Sequence, residues 1–224
     1  MNRTLQTILL IFLLGISVGG YAREKERPLF AVTWCASQPY PYNALSFNGV
    51  YQGNLASNLS LECAFSYYWS LTVAYGNEIL AWKNNTWIED PVSQMAVSNV
   101  YLNTWHYLAG AKFFPWGEFI HDNYWRVSPY FTLEAGELEL SAMGFADPLR
   151  ATSDGFVYYS SNAPVVGWGL GLEVGTPGEE EESAALRFFS RNVRFFLGLK
   201  YFLAFTPYNL QYLPFQFGVK VGFP

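Results

Sequence analysis

Two histidines are the only imidazole bases of this chain, His106 in NTWHYL and His121 beside Asp122. Acyl hydrolysis would need one of them next to a serine nucleophile, with an acid or amide to orient it. No His-x-Ser-Asn element is present. His106 is expected to be an internal or interfacial aromatic, and His121 a solvated turn residue. Cys35 and Cys63 could form one disulfide or remain free as small apolar residues. The run Glu179 to Glu182 follows Pro177-Gly178 and fits a solvated turn better than a cation site. Metal-ligand spacing, phosphate loops and dinucleotide fingerprints are all missing from the sequence. No catalytic residue, metal ligand or cofactor is therefore assigned.

A different set of residues carries chemistry through its placement. Glu62, Glu134, Glu173, Arg194, Lys200 and Lys220 each sit in a run of alternating apolar and small residues, always with the small ones. Such alternation has period 2, the mark of strands with two unlike faces. Val166, Trp168, Leu170, Leu172 and Val174 interleave with Gly167, Gly169, Gly171, Glu173 and Gly175. Phe195, Leu197, Leu199 and Tyr201 interleave with Arg194, Phe196, Gly198 and Lys200, and Phe215, Phe217, Val219 and Val221 with Gln216, Gly218 and Lys220. Leu59, Leu61, Cys63, Phe65, Tyr67, Trp69, Leu71, Val73 and Tyr75 form one unbroken apolar set, with Glu62 among its small partners. Helical spacing is nearly absent.

Composition narrows what such strands can build. The 224 residues are 51% hydrophobic and 19% aromatic but only 14% charged, with a net charge of −5. Disordered chains lack aromatics and carry high net charge, so disorder is excluded for most of the length. An electrostatic nucleic-acid binder is excluded by the acidic balance. Residues 1–22 read as a secretory signal peptide, with Arg3, the apolar run Ile8 to Val18, and small residues Gly20 and Ala22 before the cleavage point. The run is short of the roughly 20 residues a membrane-spanning helix needs.

In a soluble barrel the large apolar face points inward and the outer face is rich in charge. Here the second face is mostly Gly, Ala, Ser and Thr. Small and polar residues suit a narrow lumen and large apolar ones a lipid-facing wall. Backbone groups in lipid must be paired, so the sheet must close. Strands are expected near 43–53, 57–66, 68–82, 99–114, 126–141, 163–176, 191–205 and 213–223. If 59–75 were one long strand, 28–36 would serve as the missing one. With both ends periplasmic, 54–56, 83–98, 142–162 and 206–212 would be outward loops.

The C-terminal run PFQFGVKVGF (214–223) resembles the terminal recognition strand of bacterial outer membrane barrels, although Pro224 follows its last aromatic. LAGAKFFPW (108–116), RVSPYFTLEAGEL (126–138) and VVGWGLGLEVG (165–175) resemble the small porin-like outer membrane β-barrel families, the class that includes OmpA transmembrane domains and OmpW. The resemblance covers roughly residues 43 to 223. It implies a barrel in the bacterial outer membrane, surrounded by its lipids and inserted by the barrel assembly machinery through the C-terminal strand.

The expected organisation is a signal peptide at 1–22, an N-terminal extension at 23–42 and an all-β domain at 43–224. That domain is an eight-stranded antiparallel transmembrane β-barrel, with ten strands as the alternative. Eight strands leave an interior just wide enough for side chains. The three acids and three bases named above are expected to pair there as a lumen charge network. The expected role is non-enzymatic: a monomeric cell-envelope protein with surface-exposed loops, structural or binding a small hydrophobic or host ligand, with no nucleic acid. The alternatives are a narrow channel for small or hydrophobic solutes and a lipid-modifying hydrolase.

Overall fold

The computed structural model describes residues 30–41, 51–66, 68–82, 88–89, 96–117, 126–146, 156–175, 183–206 and 210–223. The expected signal peptide and the Glu179–Glu182 run lie outside them. Ten strand segments are present: β1 (Phe30–Pro41), β2 (Tyr51–Asn54), β3 (Ala56–Ala64), β4 (Trp69–Trp82), β5 (Ile88–Glu89), β6 (Ala96–Phe113), β7 (Arg126–Ala146), β8 (Phe156–Gly175), β9 (Val193–Ala204) and β10 (Leu210–Phe223). Among the described residues one helix, α1 (Ala184–Asn192), runs directly into β9.

These segments make eight staves. The ring runs β1-β3-β4-β6-β7-β8-β9-β10 and returns to β1 through its antiparallel pairing with β10. Every pairing in it is antiparallel. β2 and β3 both pair with β4 and form one stave. Their register shifts by one residue at Leu55, since Asn54 opposes Ile79 while Asn58 opposes Gly76. β5 is a two-residue pairing at one end of β6.

The closed eight-stave barrel agrees with the sequence expectation, but the first stave is placed differently. Phe30–Pro41 is a barrel strand, so the wall begins within the segment expected to be an N-terminal extension. The strand expected at 43–53 falls partly on residues outside those described, and its end belongs to the β2–β3 stave. Residues 54–56 are consequently a register shift inside a stave and not a loop. β7 and β8 run on to Ala146 and back from Phe156, which shortens the expected loop at 142–162.

The turn between β3 and β4 is real, although no Gly, Pro or Asn marks it. The Ser66 hydroxyl accepts a hydrogen bond from the Trp69 amide at 3.1 Å, a local substitute for backbone turn geometry. At the same end of the barrel, the Gly117 amide donates to the Phe114 carbonyl at 3.0 Å, and Gly117 has φ 78°, which glycine adopts without strain.

The large apolar residues point outward. Trp34, Leu59, Leu61, Phe131, Leu133, Trp168, Leu170, Leu172, Phe195, Leu197, Leu199, Phe215 and Phe217 are all exposed. Thr33, Ser37, Asn58, Thr72, Thr132 and Gln216, from the alternate positions, are buried. A soluble protein would bury the first set and expose the second. The inversion defines a wall for a hydrocarbon solvent.

Candidate functional site: the charged lumen

Glu62 on β3, Lys112 on β6, Glu173 on β8 and Lys220 on β10 come from alternate staves of the ring. Their signs alternate around it. Lys112 Nζ donates to Glu62 Oε2 and to Glu173 Oε1, both at 2.8 Å. Lys220 Nζ donates to Glu62 Oε1 at 2.8 Å and to Glu173 Oε2 at 3.2 Å. Each charge thus touches two of the opposite sign, and the four close a ring across the whole lumen. Glu62, Glu173 and Lys220 are at most 3% exposed. Such burial is tolerable only because every charge is paired.

The quartet lies near the end of the barrel that carries the C-terminus, where β3, β6, β8 and β10 finish or begin. The buried Phe114 ring sits there, 5.8 Å from Lys112 Nζ and 5.6 Å from Lys220 Nζ. The Tyr130 ring lies 4.6 Å from Lys112 Nζ. Both aromatic faces are within range for cation–π attraction. Tyr130 spans the lumen floor over Gly171, where a Cβ would strike its hydroxyl.

A second pair joins β9 to β7: Lys200 Nζ donates to Glu134 Oε1 at 2.7 Å and Oε2 at 2.9 Å. Arg194 is buried on the inward face of β9, opposite Lys220 in the backbone register. All six residues of the expected network therefore face the lumen, and five of them take part in these ion pairs. Lys112 was missing from the expected set, and so was Glu78. Glu78 is buried, accepts from the Ser37 hydroxyl at 2.9 Å, and its backbone carbonyl accepts from Thr104 Oγ1 at 3.1 Å. Among the described residues, the inward face holds four glutamates and four lysine or arginine side chains.

Toward the other end the interior is mixed, with apolar side chains packed beside the buried Glu78 and Ser37. His106 stacks on Phe202 at 5.8 Å, and Phe202 meets Tyr212 at 5.3 Å. Leu138, Leu140, Val165 and Leu210 are buried with them. His106 is thus a packed lumen aromatic, in line with the expectation for it. Between the two ends lies a cavity of about 40 Å³, lined by Thr33, Asn58, His106, Thr132, Glu134 and Lys200 among others. It has room for a few water molecules.

The outside also changes character toward this end. Asn77, Asn103, Glu137, Glu139, Asn162 and Gln211 occupy outward positions above the apolar band. Asn77 Nδ2 donates to Asn103 Oδ1, and the Tyr201 hydroxyl donates to Gln211 Oε1 at 2.7 Å. Among them and just below lies an aromatic belt, with Tyr75 against Trp105 at 5.4 Å and Tyr107 at 5.1 Å, and Trp168 against Tyr201 at 4.5 Å. At the opposite rim Trp69 packs on Phe113 at 4.6 Å. Amphipathic aromatics settle at membrane–water interfaces. The band between runs from Val127 to Ala135 on β7, the length of a tilted transmembrane strand.

Cys35 faces the lumen opposite Asn58, whereas Cys63 sits on the other face of its strand opposite Leu71. Both cysteines are buried, and neither is in a disulfide.

No protein-family model and no curated protein matches the chain. Among solved structures it is similar to Neisserial surface protein A, with a TM-score of 0.51 and 17% identity over 87% of this chain and 97% of that one. It is also similar to the outer membrane protein OprG from Pseudomonas aeruginosa, with a TM-score of 0.49 and 9% identity over 90% of this chain and 99% of the other. A third similar structure is Ail, the attachment invasion locus protein of Yersinia pestis, with a TM-score of 0.45 and 14% identity over 89% of this chain and 100% of the other. At these identities the likeness is one of fold. The closed ring, the lipid-facing wall and the shared architecture define the class: a small eight-stave β-barrel of the bacterial outer membrane type.

Proposed function

We propose that this outer membrane barrel is a sealed, non-enzymatic scaffold that anchors surface-exposed loops and contributes to envelope integrity, with any small hydrophobic or host ligand bound by those loops. The observation that supports this reading is the alternating charge quartet, which crosses the lumen between four alternate staves. Its members are fully occupied by one another, which suits a plug better than a solute path. Residues 42–50, 83–95, 147–155 and 205–209 join strands at the end opposite the C-terminus and would carry the outward loops. Residues 1–22 would direct export and be removed, and β10 would engage the assembly machinery. The protein would function as a monomer in outer membrane lipid.

A narrow channel is the second reading, favoured by the cavity beside Lys200 and Glu134. Conductance separates the two. Refolded protein in a planar bilayer is expected to leave the membrane without stable open steps. Reproducible unitary steps from the unmodified chain would favour the channel. Fatty acid release from lipid A, abolished by His106→Ala, would favour a hydrolase over both.

A further inference from the structure

Helix α1 exposes the wrong kind of face for water. Ala185, Phe188, Phe189 and Asn192 recur at the i, i+3, i+4, i+7 spacing that defines one helical face. Phe188 is 51% exposed and Phe189 41%, whereas Ser190 on the other side is buried. Asn192 Nδ2 donates to the Phe188 carbonyl at 3.0 Å and ties the last turn together. The helix packs on β9 and β10, at the rim where β10 ends. It runs without a break into Val193, and the lipid-facing wall resumes two residues later at exposed Phe195, with exposed Phe223 on the neighbouring stave. The nine helical residues include two arginines and no acid.

We infer that α1 lies in the interface of the periplasmic leaflet, with Phe188 and Phe189 inserted among its lipids. Two observations select lipid as the occupant, as for other helices that lie in a membrane plane. The exposed aromatic face continues a wall that already faces lipid. The helix sits at the rim where that wall meets water. The barrel would then be fixed at its inner rim against tilting and sliding. This inference rests on the lipid-facing assignment of the wall.

The test is the depth of a nitroxide on Phe188→Cys, and separately on Phe189→Cys, in a Cys35→Ser/Cys63→Ala background. The protein is refolded into phosphatidylethanolamine–phosphatidylglycerol vesicles, with Phe195→Cys as the wall reference. Collisions with oxygen are expected to exceed those with a water-soluble nickel chelate, as at position 195. A nickel-dominated ratio at 188 and 189, with position 195 still oxygen-dominated, would overturn the inference. Suppression of both collisions would also overturn it, because protein would then cover the face. If position 195 itself favoured nickel, the wall assignment would fail first. A second readout keeps the native cysteines. Amide exchange across 184–192 should slow in vesicles relative to detergent, and Phe188→Ser/Phe189→Ser should abolish the slowing. Equal behaviour of the two chains would overturn the inference.

Discussion

Lys220 holds two carboxylates at once, and each of those carboxylates holds Lys112 as well. Removing one member leaves its partners buried and undercompensated, which typically costs about 3–5 kcal/mol. Glu62→Gln and Lys220→Met should each lower the urea midpoint of vesicle-folded protein. The double variant should lose less than the sum of the two, because neighbours in one network are not additive. Strict additivity would show that the pair does not interact. The cysteines make a second residue-scale prediction. They lie on opposite faces of the wall, so folded protein should migrate identically with and without reductant. Two thiols should become reactive on unfolding, and recovery of fewer than two would reveal a bridge.

The elements were legible where the two faces differ in size. β8, β9 and β10 alternate large apolar with Gly, Ala or charge, and their parity placed Glu173, Arg194, Lys200 and Lys220 inward. β1 was hard to read because Pro39 and Pro41 interrupt a strand-like run, and proline usually excludes a segment from the interior of a sheet. Lys112 was missed because Ala109, Gly110 and Ala111 around it are small on both faces, so no size contrast fixes the parity. Its spacing of two from Gly110 and six from His106 was the available signal. The register shift at Leu55 hid the β2–β3 stave, since one added residue exchanges the faces. Helix α1 is too short for its spacing to stand out. The wall itself can be tested by substitution. Leu133→Arg at the apolar band should cost about 2–4 kcal/mol, whereas Glu139→Arg above the aromatic belt should cost about 0–1 kcal/mol. Equal costs at the two positions would contradict the placement of the boundary.

At the scale of the whole molecule, one inversion organises everything else. Large apolar side chains face out, charges face in, and the ring closes so that no backbone edge meets lipid. Above the aromatic belt the outside becomes polar. There the outside carries Glu137, Glu139 and Gln211, and the inside carries Leu138, Leu140 and Leu210 beside the buried Glu78. The polar outer surface at that end lifts the loops clear of the hydrocarbon. The most direct measurement is electrophoresis of membrane-extracted protein in SDS with and without boiling. The account predicts recovery in the outer membrane fraction and a folded band that shifts only after heating. Detergent-free extraction with identical migration before and after boiling would contradict it, and would require the apolar wall to be buried against something other than lipid.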